Sequence, residues 1–447
     1  MTAASAWEQV LDYSNRANPY PFHAELRRTP VTKLPDGTYV VSTYAEIASL
    51  LHDPRVSSDI SRNPAAAAAG ATGDDLDGPG MSPTFLSMDP PDHDRFRRIA
   101  MRHFGPPTTP GRVAGMEVRM REIVAELIDG MADRNRIDVV DDLAYPLPVT
   151  VICELLGVPP GDERRFRVWV DVALQSTDPG LDPETQQKKR AEAGTELGAY
   201  MEELVEAHRK SPGNDLLSAM ATDDGPEGRM PAEQLVSTGL LLLIAGHETT
   251  VNLISNGALT LLRHPHQLQM LRSDPDLAIP MVEELLRYEP PVHFVPFRTA
   301  LDDIDIAGTT IPAGSSLTLL LAAGNRDPAH FTDPDLFIPE RRNNQHLGFG
   351  GGIHLCFGAP LARLEAQIAL TEFAGRIRNP RLVADPPPYR PSPFLRGPSH
   401  LPLDIDGVAG KEHGRPGPGP PPPTPAESHP SPAGTDAQTG PARGLPR

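Results

Sequence analysis

The chain has 447 residues, two of them cysteine, with 59 acidic against 41 basic side chains for a formal charge of −18. Two cysteines exclude a disulfide framework and fit a reducing compartment, and the acidic excess argues against nucleic acid as a partner. Residues 1–30 hold no secretory-type apolar run, and the longest apolar patch, Leu240–Ala245, falls far short of the ~20 residues that span a bilayer. A cytoplasmic protein without a membrane anchor is therefore expected.

In chain order, Asp36-Gly37 ahead of a β-rich run is a hairpin signal. Thr43 then opens a short amphipathic helix stopped by Pro54. From about Ser57 to Pro83 alanine, glycine, proline and aspartate dominate, which predicts a long loop that could act as a lid over a pocket. A helix is predicted from near Pro91 to Gly105, with His93 and Arg97 four apart on one face. Residues 112–135 and 140–157 read as further helices, the second ended by Gly157 and Pro159. It contains Cys153 amid apolar neighbours, as befits a small buried hydrophobe. Helical patterning continues over about 162–176 and 184–210, with a loop between, and no repeat period recurs.

Pro231–Arg263 is long enough for a central helix. Its apolar middle is interrupted by Ala245-Gly246-His247-Glu248-Thr249-Thr250, and Val251 stands where a zinc-binding HExxH motif would place its second histidine. Two readings of these polar residues stay open: threonine hydroxyls bonded back to helix carbonyls, or an acid–alcohol pair that moves protons. Glu284 and Arg287, three apart on the next helix, form an i,i+3 ion pair and precede Tyr288-Glu289-Pro290-Pro291. Short β-runs follow between Leu301 and Pro328, and Ser392–Ile405 is expected to form a final hairpin. From about Gly407 the chain turns Pro/Gly-rich, with no aromatic residue and almost no large aliphatic one, which predicts a disordered tail; a Pro-rich docking motif is the alternative.

The stretch Phe349–Leu370, FGGGIHLCFGAPLARLEAQIAL, carries the most specific pattern. A cysteine in a Gly-rich loop just before a helix has amide donors at hand to stabilise a thiolate. The spacing Phe349-Gly350-x-Gly352-x-His354-x-Cys356-x-Gly358 resembles the haem-binding loop of the cytochrome P450 family, of the soluble bacterial, actinomycete-like type. Gly351 is a small departure, at a place where relatives often carry a polar residue.

The resemblance implies a mainly α haem-thiolate fold with a small β region: one large domain over 1–406 and a tail over 407–447, overriding the several domains that length alone would suggest. It implies haem b with Cys356 as axial ligand, surrounded by Phe349, Gly350, His354 and Gly358, and with His93, Arg97 and Arg298 at the propionates. Ala245, Gly246, Glu248 and Thr249 would form the oxygen-activating groove, Thr249 hydrogen-bonding the reacting dioxygen and Glu248 relaying protons. Glu284 and Arg287 would be scaffolding locked to Arg341 or Arg342. Phe85, Ile244, Val292, Phe294, Val295 and Phe394 would line the substrate pocket. The implied activity is hydroxylation of a lipophilic small molecule, a fatty acid or a secondary-metabolite intermediate, with O2, two electrons and two protons. No Rossmann fingerprint or flavodoxin-sized segment is left over, so electrons are expected from a separate ferredoxin and ferredoxin reductase, docking on Arg98, Arg102 and Arg363 of a monomeric enzyme. A peroxide-driven haem enzyme and a non-catalytic haem or ligand-binding protein are the alternatives; the intact Glu248-Thr249 pair argues against both.

Overall fold

The computed structural model describes residues 2–64, 82–105, 111–162, 165, 169 and 183–410. Most of the expected lid (65–81), most of the expected helix over 162–176 and the tail beyond Gly410 lie outside the described residues.

The main elements, in chain order, are α1 (Ala3–Leu11), α2 (Tyr20–Arg27), β1 (Val31–Lys33), β2 (Tyr39–Val41), α3 (Tyr44–Leu51), β3 (Val56–Ser57), α4 (Asp92–Phe104), α5 (Glu117–Asp129), β4 (Arg136–Asp138), α6 (Pro146–Leu156) and α7 (Pro183–Lys210). They continue with α8 (Ala232–Arg263), α9 (Pro265–Ser273), α10 (Ala278–Tyr288), β5 (Val295–Ala300), β6 (Ile304–Ile306), β7 (Thr309–Ile311), β8 (Ser316–Leu319), α11 (Ala359–Arg376), β9 (Arg381–Leu382) and β10 (Pro402–Asp404).

Local chemistry explains several boundaries. Asp92 and Asp94 in the first turn of α4 and Arg102 and His103 in its last complement the helix dipole. In α6, Pro146 begins the helix and Gly157 ends it with a left-handed φ of 75°. Residues 112–135 do not make one helix: α5 stops at Gly130, and Arg136–Asp138 becomes a strand. The reason is tertiary, because Ile137 pairs with Leu403 across β4 and β10 and both are buried.

A five-stranded sheet runs β1-β2-β8-β5-β3, with β2 and β8 parallel and the other pairs antiparallel. The expected final hairpin is only partly one. Tyr389 pairs with Pro398, whereas β10 instead joins β4 and β9 in a separate sheet. The principal core gathers α4 to α11 around α8, which buries Leu242, Leu243, Val251, Leu253, Ile254 and Leu261. Burial of each such side chain stabilises by ~1.5–3 kcal/mol, so α8 is the axis on which the site is built.

Candidate active site

The loop before α11 is shaped by positive-φ glycines. Gly350 has φ 69° and Gly352 φ 63°; a Cβ on Gly352 would lie 1.9 Å from the Leu51 carbonyl of α3. The close approach is thus to α3, and the loop is clamped there before it reaches Cys356. Cys356 is exposed, its amide donating to the Phe349 carbonyl at 2.9 Å. Desolvation raises its thiol pKa, opposed by the Gly358 and Ala359 amides and by Arg97 and Arg363. Cys153 is buried in the core. One cysteine is an open thiol with anion-stabilising neighbours and the other is packing.

Next to the thiol lies a set of cationic and imidazole groups. The His93 Nδ1 is 2.8 Å from Asp94 and its Nε2 is buried with no protein partner. The His354 Nε2 is 2.8 Å from Ser58 Oγ, while its Nδ1 is likewise buried and unpartnered; the two rings stand 4.6 Å apart. Burial, then Arg298, His93 and Arg97, hold His354 down to about 3, so its ring is neutral. Arg97 donates to the Leu355 carbonyl, and burial lowers the Arg298 guanidinium to about 10, with Asp89 opposing. Two cations and the His354 Nδ1–H are a donor set for carboxylates, and His93 Nε2 joins it when that ring, whose Nδ1 proton faces Asp94, carries a second proton. Together with the thiol they fit a haem b whose propionates need such partners.

On α8, the Thr249 hydroxyl donates to the Ala245 carbonyl at 2.7 Å and Thr250 to that of Gly246 at 3.1 Å. Back-bonding of this kind is the structural reading of the threonines, and it is present. It also leaves the Thr249 oxygen's lone pairs to accept a bond from a reactant. Ala245 is exposed although it sits mid-helix, so no protein side chain covers this turn at that position. A Cβ on Gly246 would meet only Ile152, at 3.6 Å, an ordinary contact, so packing does not demand glycine there. Glu248 is buried and ion-paired at 3.0 Å to Arg390, a residue that sequence reasoning missed. Below it, Glu365 of α11 hydrogen-bonds Thr250, and burial pushes its carboxyl up to about 8, so it is a neutral acid at pH 7.

Glu284 and Arg287 are fully buried and joined by two bonds of 2.8 and 2.7 Å. Arg341, not the exposed Arg342, completes the lock, its Nε lying 3.1 Å from Glu284. The Ile338 amide and Asn344 Nδ2 also donate to Glu284, while Arg287 donates to the carbonyls of Asn325, Pro334 and Leu336.

A match to the family model described as Cytochrome P450 spans residues 55–378. The chain belongs to the cytochrome P450 family. It is 41% identical over 416 residues to the cytochrome P450 monooxygenase PikC of Streptomyces venezuelae, covering 89% of this chain and 93% of that protein. It is 39% identical over 406 residues to the 6-deoxyerythronolide B hydroxylase of Saccharopolyspora erythraea, covering 87% and 96%. Among solved structures, P450BioI in complex with hexadec-9Z-enoic acid ligated acyl carrier protein superposes with a TM-score of 0.79 at 35% identity, covering 88% of this chain and 99% of that one. As a P450, the protein is a haem-thiolate oxidoreductase of mainly α fold whose haem b is bound through a cysteine, a role that the exposed thiol of Cys356 fits and the packed Cys153 does not. Among the described residues, no helix is long and apolar enough to cross a membrane.

Of the expected pocket residues, Ile244 lies partly buried against the principal core, and Phe85 is buried against Phe357, ring centroids 5.8 Å apart. Val292 and Val295 pack with the sheet. Phe294 and Phe394 cluster with Trp7 of α1, the Trp7–Phe294 centroids 5.3 Å apart. Phe297 went unnoticed in the sequence: it takes a left-handed φ of 57° at the register break that delivers Arg298. The three arginines expected to dock a redox partner are already engaged, Arg98 by Asp94 and Glu227, Arg102 by Asp223 and Glu227, and Arg363 by Glu283. They do not form a patch of open positive charge.

Proposed function

We propose that this P450 hydroxylates an unactivated C–H bond of a lipophilic secondary-metabolite intermediate or fatty acyl chain, using O2 and electrons from a separate ferredoxin and its reductase. The observation that carries this reading is the Glu248–Thr249 pair on the turn of α8 where Ala245 is exposed. Haem with a thiolate ligand supplies the oxidising chemistry and favours O–O cleavage. The chain's own part is to position substrate against apolar side chains and to hold protons where they are needed. Thr249 keeps oxygen lone pairs for a hydrogen-bonding reactant, and Glu248 is an adjacent acid. That pair favours O2 over peroxide as oxidant, since a peroxide brings its protons with it.

The substrate class rests on the apolar character of Phe85, Ile244, Val292 and Val295, and on relatives that include a 6-deoxyerythronolide B hydroxylase and a P450 bound to a fatty-acyl carrier protein. Titrating ferric holoenzyme with macrolide lactones, free fatty acids and carrier-bound acyl chains should shift the Soret band for one class. If none of these shifts it while polar compounds do, the proposal fails. Thr249→Ala should lower product formed per electron consumed by about 10²-fold, the lower end of the range for lost acid–base assistance. Unchanged coupling would remove Thr249 from the relay.

A further inference from the structure

The end of α3 meets the cysteine loop at one titratable side chain. His52 is the exposed residue on which α3 stops. Its Nδ1 lies 2.8 Å from the Ala48 carbonyl, one turn back in the same helix, and its Nε2 lies 3.2 Å from the Gly352 amide. A carbonyl oxygen only accepts and a backbone amide only donates. Nδ1 therefore carries the proton and Nε2 presents its lone pair, so both bonds exist together only in the neutral ring. Among the described residues, the Gly352 amide has no other acceptor. The approach is close around this bond. A Cβ on Gly351 would lie 3.2 Å from His52 Cε1, and one on Gly352 is excluded by the Leu51 carbonyl. Gly352 opens the turn Gly352–His354, which leads directly to Cys356.

We propose that His52 is a positioning residue for the haem-ligating loop, and that it releases the loop when it takes up a proton from solvent. Protonation puts a hydrogen on Nε2, which then faces the hydrogen of the Gly352 amide. The bond to Ala48 survives, since Nδ1–H is unchanged, so the ring stays on α3 and only the loop is let go. The charged groups around α3 are committed elsewhere. Asp53 and Arg55, next in the chain, pair with each other, while Glu46 and Asp327 serve Thr43 and the Tyr44 amide at the opposite end. Leu321–Gly324, which packs on α3, carries no charge. Within the loop, His354 bonds Ser58, and Cys356 has the Gly358 and Ala359 amides with Arg97 and Arg363 about it. Proton uptake at His52 is therefore the event that breaks this join, and a loop freed from α3 holds its thiolate less firmly. The inference rests on Cys356 being the axial ligand.

The test compares haem-loaded wild type, His52→Gln and His52→Ala at about pH 8 and about pH 5.5, a span across which histidine changes charge. A glutamine Oε1 accepts the Gly352 amide and does not titrate, whereas alanine removes the acceptor at every pH. The first readout is the rate of haem transfer to excess apomyoglobin. Wild type and His52→Gln should agree at the higher pH. At the lower pH wild type should release haem about three- to tenfold faster than His52→Gln, the worth of one hydrogen bond. His52→Ala should exceed wild type by the same factor at the higher pH and match it at the lower. Parallel pH profiles in wild type and His52→Gln overturn the proposal, and so does a wild-type rate in His52→Ala at the higher pH. The second readout needs no variant: hydrogen exchange at the Gly352 amide of the wild-type holoenzyme, corrected for the intrinsic effect of pH. Its protection should fall by a similar factor on acidification, and unchanged protection overturns the proposal. Should His52→Gln not load haem, this exchange measurement decides alone. A Cys356→Ser protein that keeps the thiolate carbon-monoxide spectrum would instead overturn the ligand assignment itself.

Discussion

Replacing Cys356 by serine is expected to abolish the thiolate form of the ferrous carbon-monoxide spectrum and to cut turnover by at least about 10³-fold, or ~4 kcal/mol of activation free energy. A serine hydroxyl is a harder, far less ionised donor than a thiol, so it neither binds iron as strongly nor pushes electron density toward O–O cleavage. The surroundings make the effect specific to this position. Cys356 sits before α11, where the Gly358 and Ala359 amides and two arginines favour the thiolate against its desolvation. Cys153→Ser, in the packed core of α6, should keep the thiolate spectrum and lose only stability. The comparison of the two variants by carbon-monoxide spectrum and haem content decides between the cysteines. A thiolate spectrum surviving in Cys356→Ser would refute the ligand assignment.

Arg287→Ala should prevent accumulation of folded, haem-loaded protein. The pair Glu284–Arg287 has no exposed side-chain surface, and Arg287 spends its donors on both carboxylate oxygens and three backbone carbonyls. Removing the guanidinium takes a donor from the carbonyls of Asn325 and Pro334, leaves that of Leu336 to Arg341 alone, and leaves Glu284 to Arg341, Asn344 and one amide. Breaking a buried pair in this way costs ~3–5 kcal/mol, a large share of the ~5–15 kcal/mol that stabilises a typical domain. Lysine should not rescue, because a single ammonium cannot serve two carboxylate oxygens and three carbonyls in that fork geometry. Arg341→Ala should be milder, since Glu284 keeps its bidentate partner. Thermal midpoints and haem-to-protein ratios measure both effects, and a wild-type midpoint in Arg287→Ala would contradict this account.

The elements that could be read directly are those whose cause is local. Pro146 and Gly157 bracket α6, and the charge order of α4 matches its dipole. The cysteine loop could be read because its chemistry falls within a few residues, although the Leu51 carbonyl that demands glycine at 352 lies on distant α3. What escaped depends on contacts between distant segments. Glu248 shows itself as an acid in an apolar helix, but nothing local indicates that Arg390 meets it. Phe294 and Phe394 are as apolar as a pocket lining should be, and nothing local indicates that Trp7 of α1 packs beside them. Arg98, Arg102 and Arg363 look like free cations until the fold brings Glu227, Asp223 and Glu283 to them.

The same long-range joins bear on how the molecule is made. The hydroxyl of Tyr13 donates to the carbonyl of Tyr389 at 3.0 Å, 376 residues away, and Arg396 Nε reaches back to the Arg16 carbonyl at 2.8 Å, across 380. During synthesis these N-terminal residues emerge first and must wait for partners that the ribosome delivers last. Closing so long a loop costs conformational entropy before any contact offsets it, and folds dominated by such contacts form slowly. The hairpin that holds Arg390 is among those late pieces. A nascent chain stalled before Tyr389 would therefore lack both the closure of the N-terminal helices and the partner of Glu248, and the site would be completed only in the last stage of folding.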